Sequence, residues 1–228
     1  MGLNNKYLNF INESSSKAIG NIKGKCMLEL GNQIIRNTEY IKEKTGKEYY
    51  TNRGVFHISI DLNGQNGALM LDLSKPLRKR EWINYFDIIT NSGTTEHVEP
   101  RKAQYDVFKN IHECMKVGGI SIHLIPDIRE LEMRGKWKSH CKNYYSKEFF
   151  RVLAKYNNYE IIELKIINGL VCSTLRKTID SSFMDDKELF LSFITRKNTG
   201  VIYKGINTGT FNKLIRNMRI KLKTTIMK

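Results

Sequence analysis

The chain has 228 residues, 40% of them hydrophobic and 27% charged, with 38 lysines and arginines against 23 aspartates and glutamates. That length and balance suit one globular α/β domain with additions and a core of its own. No apolar run approaches the roughly 18 residues of a membrane-spanning helix, and the polar N-terminus does not read as a signal peptide, so a cytoplasmic chain is expected. Cys26, Cys114, Cys141 and Cys172 are scattered without a C-x-x-C pair, which points to thiols rather than disulfides or a metal site. The net charge of +15 fits a polyanionic partner such as nucleic acid, a phosphorylated sugar or anionic lipid. It equally fits a compositional bias toward Lys, Asn and Ile, and charge alone does not choose.

Residues 1–24 form a polar extension in which Tyr7, Phe10 and Ile11 fall at helical spacing. They predict a short amphipathic helix that packs on the domain or covers its active site. Residues 20–25 (GNIKGK) are one residue short of a phosphate loop and precede a strand instead of following one, so that reading is rejected. Three short apolar runs come next, at 26–30, 55–61 and 68–73, carrying Glu29, Asp61 and Asp72 at their ends. Such runs predict strands buried on both faces, with the acids at their carboxyl ends. Ligands of open α/β sheets sit at those ends, so three acids on one rim suggest a nucleotide-type site. A helix is predicted over 38–47. Asp61 either accepts the hydroxyl hydrogens of a ribose or starts the turn of Leu62, Asn63 and Gly64.

A fourth strand is predicted at 86–91, followed by the polar loop Ser92, Gly93, Thr94, Thr95, Glu96, His97. Residues 105–116 give a helix whose core stripe is Tyr105, Phe108, Ile111 and Met115, with His112 on its surface and Gly118-Gly119 as its C-cap. A fifth strand at 120–125 carries His123. Residues 127–145 are basic and aromatic (Arg129, Arg134, Lys136, Trp137, Lys138, His140, Lys142, Tyr144, Tyr145). They could grip phosphate or stack on bases and sugars, or form a solvated lid with one packed Trp. Ser146 caps a helix running to about Tyr156. Strands are predicted at 160–167 and 188–195, with a polar excursion over 170–186 between them. In the tail, 198–228, Phe211, Leu214, Ile215, Met218 and Leu222 make a helical stripe among Lys213, Arg216, Arg219, Lys221 and Lys223. This basic amphipathic pattern suits an anionic membrane surface, a protein partner, nucleic acid or docking on its own domain.

The order LELGNQ, SIDLNG, LDLSKPL, FDIITNSGTTEHV and MKVGGISIHLIP resembles a class I S-adenosylmethionine-dependent methyltransferase over residues 26–126, with a family-like ending to about 196. The resemblance implies a Rossmann-like three-layer α/β sandwich over 25–197. Its sheet would be mostly parallel and seven-stranded, with an antiparallel last strand. It implies S-adenosylmethionine as cofactor, held by Glu29, Gly31, Asn32, Asp61, Leu62, Asp72, Leu73, Asn91 and Ser92. Asp72 and Leu73 would lie beside the adenine, and Asn91 and Ser92 beside the methionine part. For Asp72 a turn-capping role stands as the alternative. The glycine-rich loop of the family is reduced here to Glu29-Leu30-Gly31 before Asn32 and Gln33.

Glu96-His97 resembles the acid–His pair of several small-molecule O-methyltransferases, and His titrates near neutrality and can take an acceptor proton. His97 is therefore a candidate base, with Glu96 and His123 beside it, while a structural cap remains the other reading of His97. The expected reaction is methyl transfer to a small polar acceptor, a hydroxyl of a sugar or glycoconjugate. Methylation of RNA is the second reading, and a non-catalytic methyltransferase-like scaffold, favoured by the missing glycines, is the third.

Overall fold

The structure is a computed structural model describing residues 2–36, 40–77, 79–132 and 135–196. The amphipathic tail expected over 198–228, and Arg134 of the basic stretch 127–145, lie outside the described residues. Six strands form one sheet in the order β2-β1-β3-β4-β7-β6. They are β1 (Cys26–Leu30), β2 (Phe56–Ile60), β3 (Phe86–Ser92), β4 (Met115–Pro126), β6 (Tyr159–Ile167) and β7 (Leu170–Lys177). The first four in sheet order run parallel, and β7 is antiparallel to both β4 and β6. The carboxyl ends of β1, β2, β3 and β4 therefore reach one rim. A two-stranded ribbon, β5 (Asn143–Tyr144) with β8 (Thr195–Arg196), stands apart.

Alternation along the buried strands splits the core into two faces. Met27, Ile88, Ile120, Ile122 and Leu124 face a cluster shared with Tyr7, Leu8, Phe10 and Ile11 of α1 (Asn5–Ile19) and Tyr49 and Tyr50 of α2 (Gly46–Thr51). Leu28, Leu30, Ile89 and Ile125 face α3 (Ala103–Cys114), α5 (Lys147–Tyr156) and α6 (Lys187–Ser192). The result is the three-layer sandwich the sequence suggests. A short α4 (Arg129–Glu132) follows β4. Asn4 caps α1 by accepting from the Tyr7 amide, and Leu3 bridges to Ile35, so the N-terminal extension is fastened to the loop after β1. No helix among the described residues is long and apolar enough to cross a membrane.

Several local expectations are corrected. The strand expected at 68–73 shrinks to one parallel bridge, Leu69 to Ile60, which leaves six strands instead of seven. Its apolar residues stay largely exposed, Leu69 at 42% and Met70 at 72%. The last strand of the six-stranded sheet in chain order is β7, inside the stretch read as polar, because Cys172, Ser173 and Thr174 are small enough to be fully buried in the sheet. The run at 188–195 is instead mostly α6, whose first turn Asp186 caps by accepting from the Leu189 amide. The helix expected at 38–47 starts only at Gly46, where Thr45 and Glu48 form a capping box. Helix α3 stops at Cys114, and Gly118-Gly119 lie within β4 at an irregularity opposite Phe86 and Ile88, not in a helix cap. His112 is buried, not on the surface: Tyr159 Oη lies 2.6 Å from Nδ1 and the Ser181 carbonyl 2.6 Å from Nε2.

Candidate active site

Parallel register delivers three loops to the rim. Leu30 pairs with Ile60 on one side and Asn91 on the other, and the Gly31 amide donates to Ile60 O at 2.7 Å. Gly31 holds φ = +84°, a region that strongly favours glycine. A Cβ there would overlap Thr94 Oγ1, which donates to Leu30 O at 2.7 Å and closes the loop after β3 over the loop after β1. Glu29 does not reach the rim. Its carboxylate turns back beneath the loop, accepts from the Gln33 amide at 3.3 Å and packs against Gly46. Burial pushes its pKa up to about 8.

Asp61 stands at the end of β2, with Oδ2 accepting from the Asn32 amide at 2.9 Å and Oδ1 from the Asn63 amide at 3.0 Å. The turn role is therefore realised, yet each oxygen keeps a second lone pair for a ligand hydroxyl. Asn32 Nδ2 donates to Gln65 O at 2.9 Å, and Leu62 is exposed on the same turn. Asp72 is committed to capping. It accepts from the Ser74 amide and hydroxyl at 3.0 and 2.7 Å and lies 3.3 Å from Lys75. Partial burial opposes ionisation there, but those partners outweigh it and hold the carboxyl below its usual range. Leu73 packs into the α3–α5 core.

The loop after β3 is the most tightly clamped part of the rim. Asn91, fully buried, donates to Thr95 Oγ1 at 2.9 Å and accepts from the Thr95 amide at 3.2 Å. Its Nδ2 also lies 3.1 Å from Nδ1 of His123. His123 is buried between Phe108 and Phe150, and burial drives its pKa down to about 3. It is a neutral residue that positions Asn91. Gln104 donates to the carbonyls of Thr95 and Val98, both at 2.7 Å, and Tyr145 Oη donates to Gln104 Oε1 at 2.5 Å. Asn143 donates to the Glu96 carbonyl at 3.1 Å. Ser92, at the end of β3, is buried behind this turn.

These contacts present Glu96 and His97 together with a residue from the basic stretch, His140. Glu96 Oε1 is 3.6 Å from His97 Nε2 and 3.8 Å from His140 Nε2, and the two ring nitrogens are 3.2 Å apart. Burial raises the Glu96 carboxyl to about 7 and lowers His140 to about 4. The aromatics of 127–145 are not stacking platforms, and Trp137 is packed while Lys136, Lys138 and Ser139 around it are exposed. Trp137, Tyr144 and Tyr145 are buried, and Trp137 Nε1 donates to Asn168 O at 2.8 Å.

Sequence reasoning placed Gly31, Asn32, Asp61, Asn91, Glu96 and His97 at this rim, and the structure brings them there. It missed Gln33, Thr94, Gln104 and Asn143 as supports and did not pair His140 with Glu96. The polar run TTEH hinted at Thr94 and Thr95. Nothing local links residues 97 and 140, which are 43 positions apart.

No protein-family model and no curated protein matches the chain. Solved structures do. The N-methyltransferase NodS from Bradyrhizobium japonicum, in complex with S-adenosylhomocysteine, is similar with a TM-score of 0.53 at 10% identity, over 77% of this chain and 89% of that one. The 1,6-didemethyltoxoflavin-N1-methyltransferase from Burkholderia thailandensis, with S-adenosylhomocysteine and 1,6-didemethyltoxoflavin bound, gives 0.51 at 13% identity over 75% and 79%. A SAM-dependent methyltransferase from Methanosarcina mazei gives 0.50 at 11% over 79% and 100%. With its sheet order, its acid-bearing rim and these likenesses, the chain has the fold of the class I S-adenosylmethionine-dependent methyltransferases.

Proposed function

We propose that the chain binds S-adenosylmethionine across the carboxyl ends of β1, β2 and β3 and methylates a hydroxyl of a small polar acceptor, a sugar or glycoconjugate. The observation that carries this reading is the meeting at one rim of three features: Gly31 at positive φ, the Asp61 carboxylate, and the anchored turn bearing Glu96 and His97. These residues fit the cofactor. Gly31 carries the positive-φ turn that ends β1 at the rim, and Asp61 has lone pairs left for ribose hydroxyls. When bound, the cofactor supplies an electrophilic methyl on a positively charged sulfur.

The chain's own residues do the rest. The transfer is an in-line displacement, so much of the rate comes from positioning, and the rigid Asn91–Thr95 turn supplies that. With an acceptor hydroxyl held for transfer, its proton would pass to the Glu96–His97–His140 cluster. His97 Nε2 is the member that takes it. A ribose hydroxyl of RNA is the second reading, favoured by the net charge of +15.

The test is methylated product, read by mass spectrometry after incubation with S-adenosylmethionine and a panel of hydroxylated sugars, with an RNA oligonucleotide alongside. The expected result is transfer to a sugar that falls about 100-fold or more in His97→Ala. Equal transfer by parent and variant would overturn the role of His97, and transfer to RNA alone would select the second reading.

A further inference from the structure

The Glu96–His97–His140 cluster has a geometry beyond that of a proton acceptor. Among the described residues it is the one group of three or more His, Cys, Asp or Glu whose ligand atoms all lie within 4.8 Å of each other. The sides of the triangle, 3.6, 3.8 and 3.2 Å, place its centre about 2.1 Å from every corner. That is the bond length of zinc to imidazole nitrogen and carboxylate oxygen. The second observation is Glu96 itself: fully buried, with neither carboxylate oxygen in a hydrogen bond among the described residues. An acid desolvated in this way is costly unless a positive group faces it. The neighbouring nitrogens at 3.6 and 3.8 Å stand too far off for hydrogen bonds but at the spacing of co-ligands.

We propose that Glu96 Oε1, His97 Nε2 and His140 Nε2 bind a divalent first-row transition ion of the zinc type. Two imidazoles with one carboxylate favour such an ion over Mg²⁺ or Ca²⁺, which prefer all-oxygen shells. Three protein ligands leave a position open for water or substrate. Access runs past His140, whose side chain is 17% exposed while those of Glu96 and His97 are 0% and 5% exposed. The backbone carrying the ligands is held from outside, by Asn143 on the Glu96 carbonyl and Asn91 on Thr95, as outer-shell support requires. Ion binding stands on this geometry alone. Its chemical use rests on the proposed methyl transfer: an acceptor hydroxyl on the open position would release its proton more readily, to Glu96 Oε2, the carboxylate oxygen left off the ion, with His97 then a ligand in place of the base.

The test uses the untagged full chain, stripped with a chelator and titrated with Co²⁺ while the visible d–d absorption is read. The other histidines, His57, His112 and His123, have buried side chains, so background from surface imidazole is small. One equivalent of Co²⁺ should bind and be displaced by Zn²⁺, and both His140→Ala and Glu96→Gln should weaken it about 100-fold or more. Circular dichroism and a thermal melt check that the variants fold, and His140→Ala, at a partly exposed site, is the safer of the two. No uptake by the parent, uptake unchanged in both variants, or a response to Mg²⁺ without one to Co²⁺ would each overturn the proposal. S-adenosylhomocysteine affinity in the same samples separates this outcome from failure of the methyltransferase reading.

Discussion

Replacing Gly31 by alanine tests how the shortened glycine loop is built. Two costs add. A side chain at φ = +84° costs about 1–2 kcal/mol relative to glycine. The new Cβ also overlaps Thr94 Oγ1, so the 2.7 Å bond from Thr94 to Leu30 O must break or stretch, at about 1 kcal/mol. The sum is about 2–3 kcal/mol, a fall in Tm of roughly 5–10 °C for a chain of this size. A partner substitution separates the terms. In a Thr94→Ala background the hydroxyl is gone, the Thr94 Cβ contact is 3.4 Å, and Gln33 Nε2 at 2.9 Å is the far end of a flexible side chain that can turn aside, so Gly31→Ala should then cost mainly the backbone part. Urea unfolding of the four proteins should give a coupling of about 1 kcal/mol. A Gly31→Ala variant within about 0.5 kcal/mol of its parent, or an equal cost in both backgrounds, would refute the account of the loop.

Glu29→Gln should flatten the pH dependence of stability. The buried native carboxyl keeps its proton up to about pH 8, against an ordinary value of 4.5. Folding is therefore favoured most below pH 4.5 and weakened as pH rises to 8, by as much as about 1.4 kcal/mol per pH unit. Urea midpoints from pH 5 to 8 should fall more steeply in the parent than in Glu29→Gln, and parallel profiles would contradict the burial argument. Asn91→Ala leaves the buried Thr95 amide and His123 Nδ1 without their partner, which should cost about 2–3 kcal/mol. A thermal melt lowered by less than about 2 °C would mean the turn is held by its other clamps.

The parts of the fold legible in the sequence are the apolar runs of β1, β2, β3, β4 and β6, the helices α1 and α3 with their 3.6-residue stripes, and α5 through its Ser146 cap. Strand β7 escaped because Cys172, Ser173 and Thr174 read as polar, while the sheet buries them through size and backbone pairing. The run at 188–195 looked like a strand because its apolar residues are contiguous; the Asp186 cap that makes it helical is a signal the composition obscured. Around 69 the apolar residues Leu69 and Met70 stay largely exposed, so a family-like strand survives as a single bridge. In the site, the rim acids were readable but their division of labour was not. Glu29 is buried beneath its loop, Asp61 stays at the rim, and Asp72 caps its turn through Ser74 and pairs with Lys75. That division depends on which way each carboxylate turns after its strand. His140 joins Glu96 only because the chain after β4 folds back over the loop after β3, a contact that needs the whole fold.

The central claim is that the carboxyl rim of β1, β2 and β3 is a cofactor site. Calorimetric titration of the full chain with S-adenosylhomocysteine, beside Asp61→Ala, tests it most directly. The account predicts micromolar binding to the parent, weakened about tenfold or more in the variant through loss of hydrogen bonds to a charged acceptor. Absence of binding at millimolar ligand, or equal affinity in the two proteins, would contradict it.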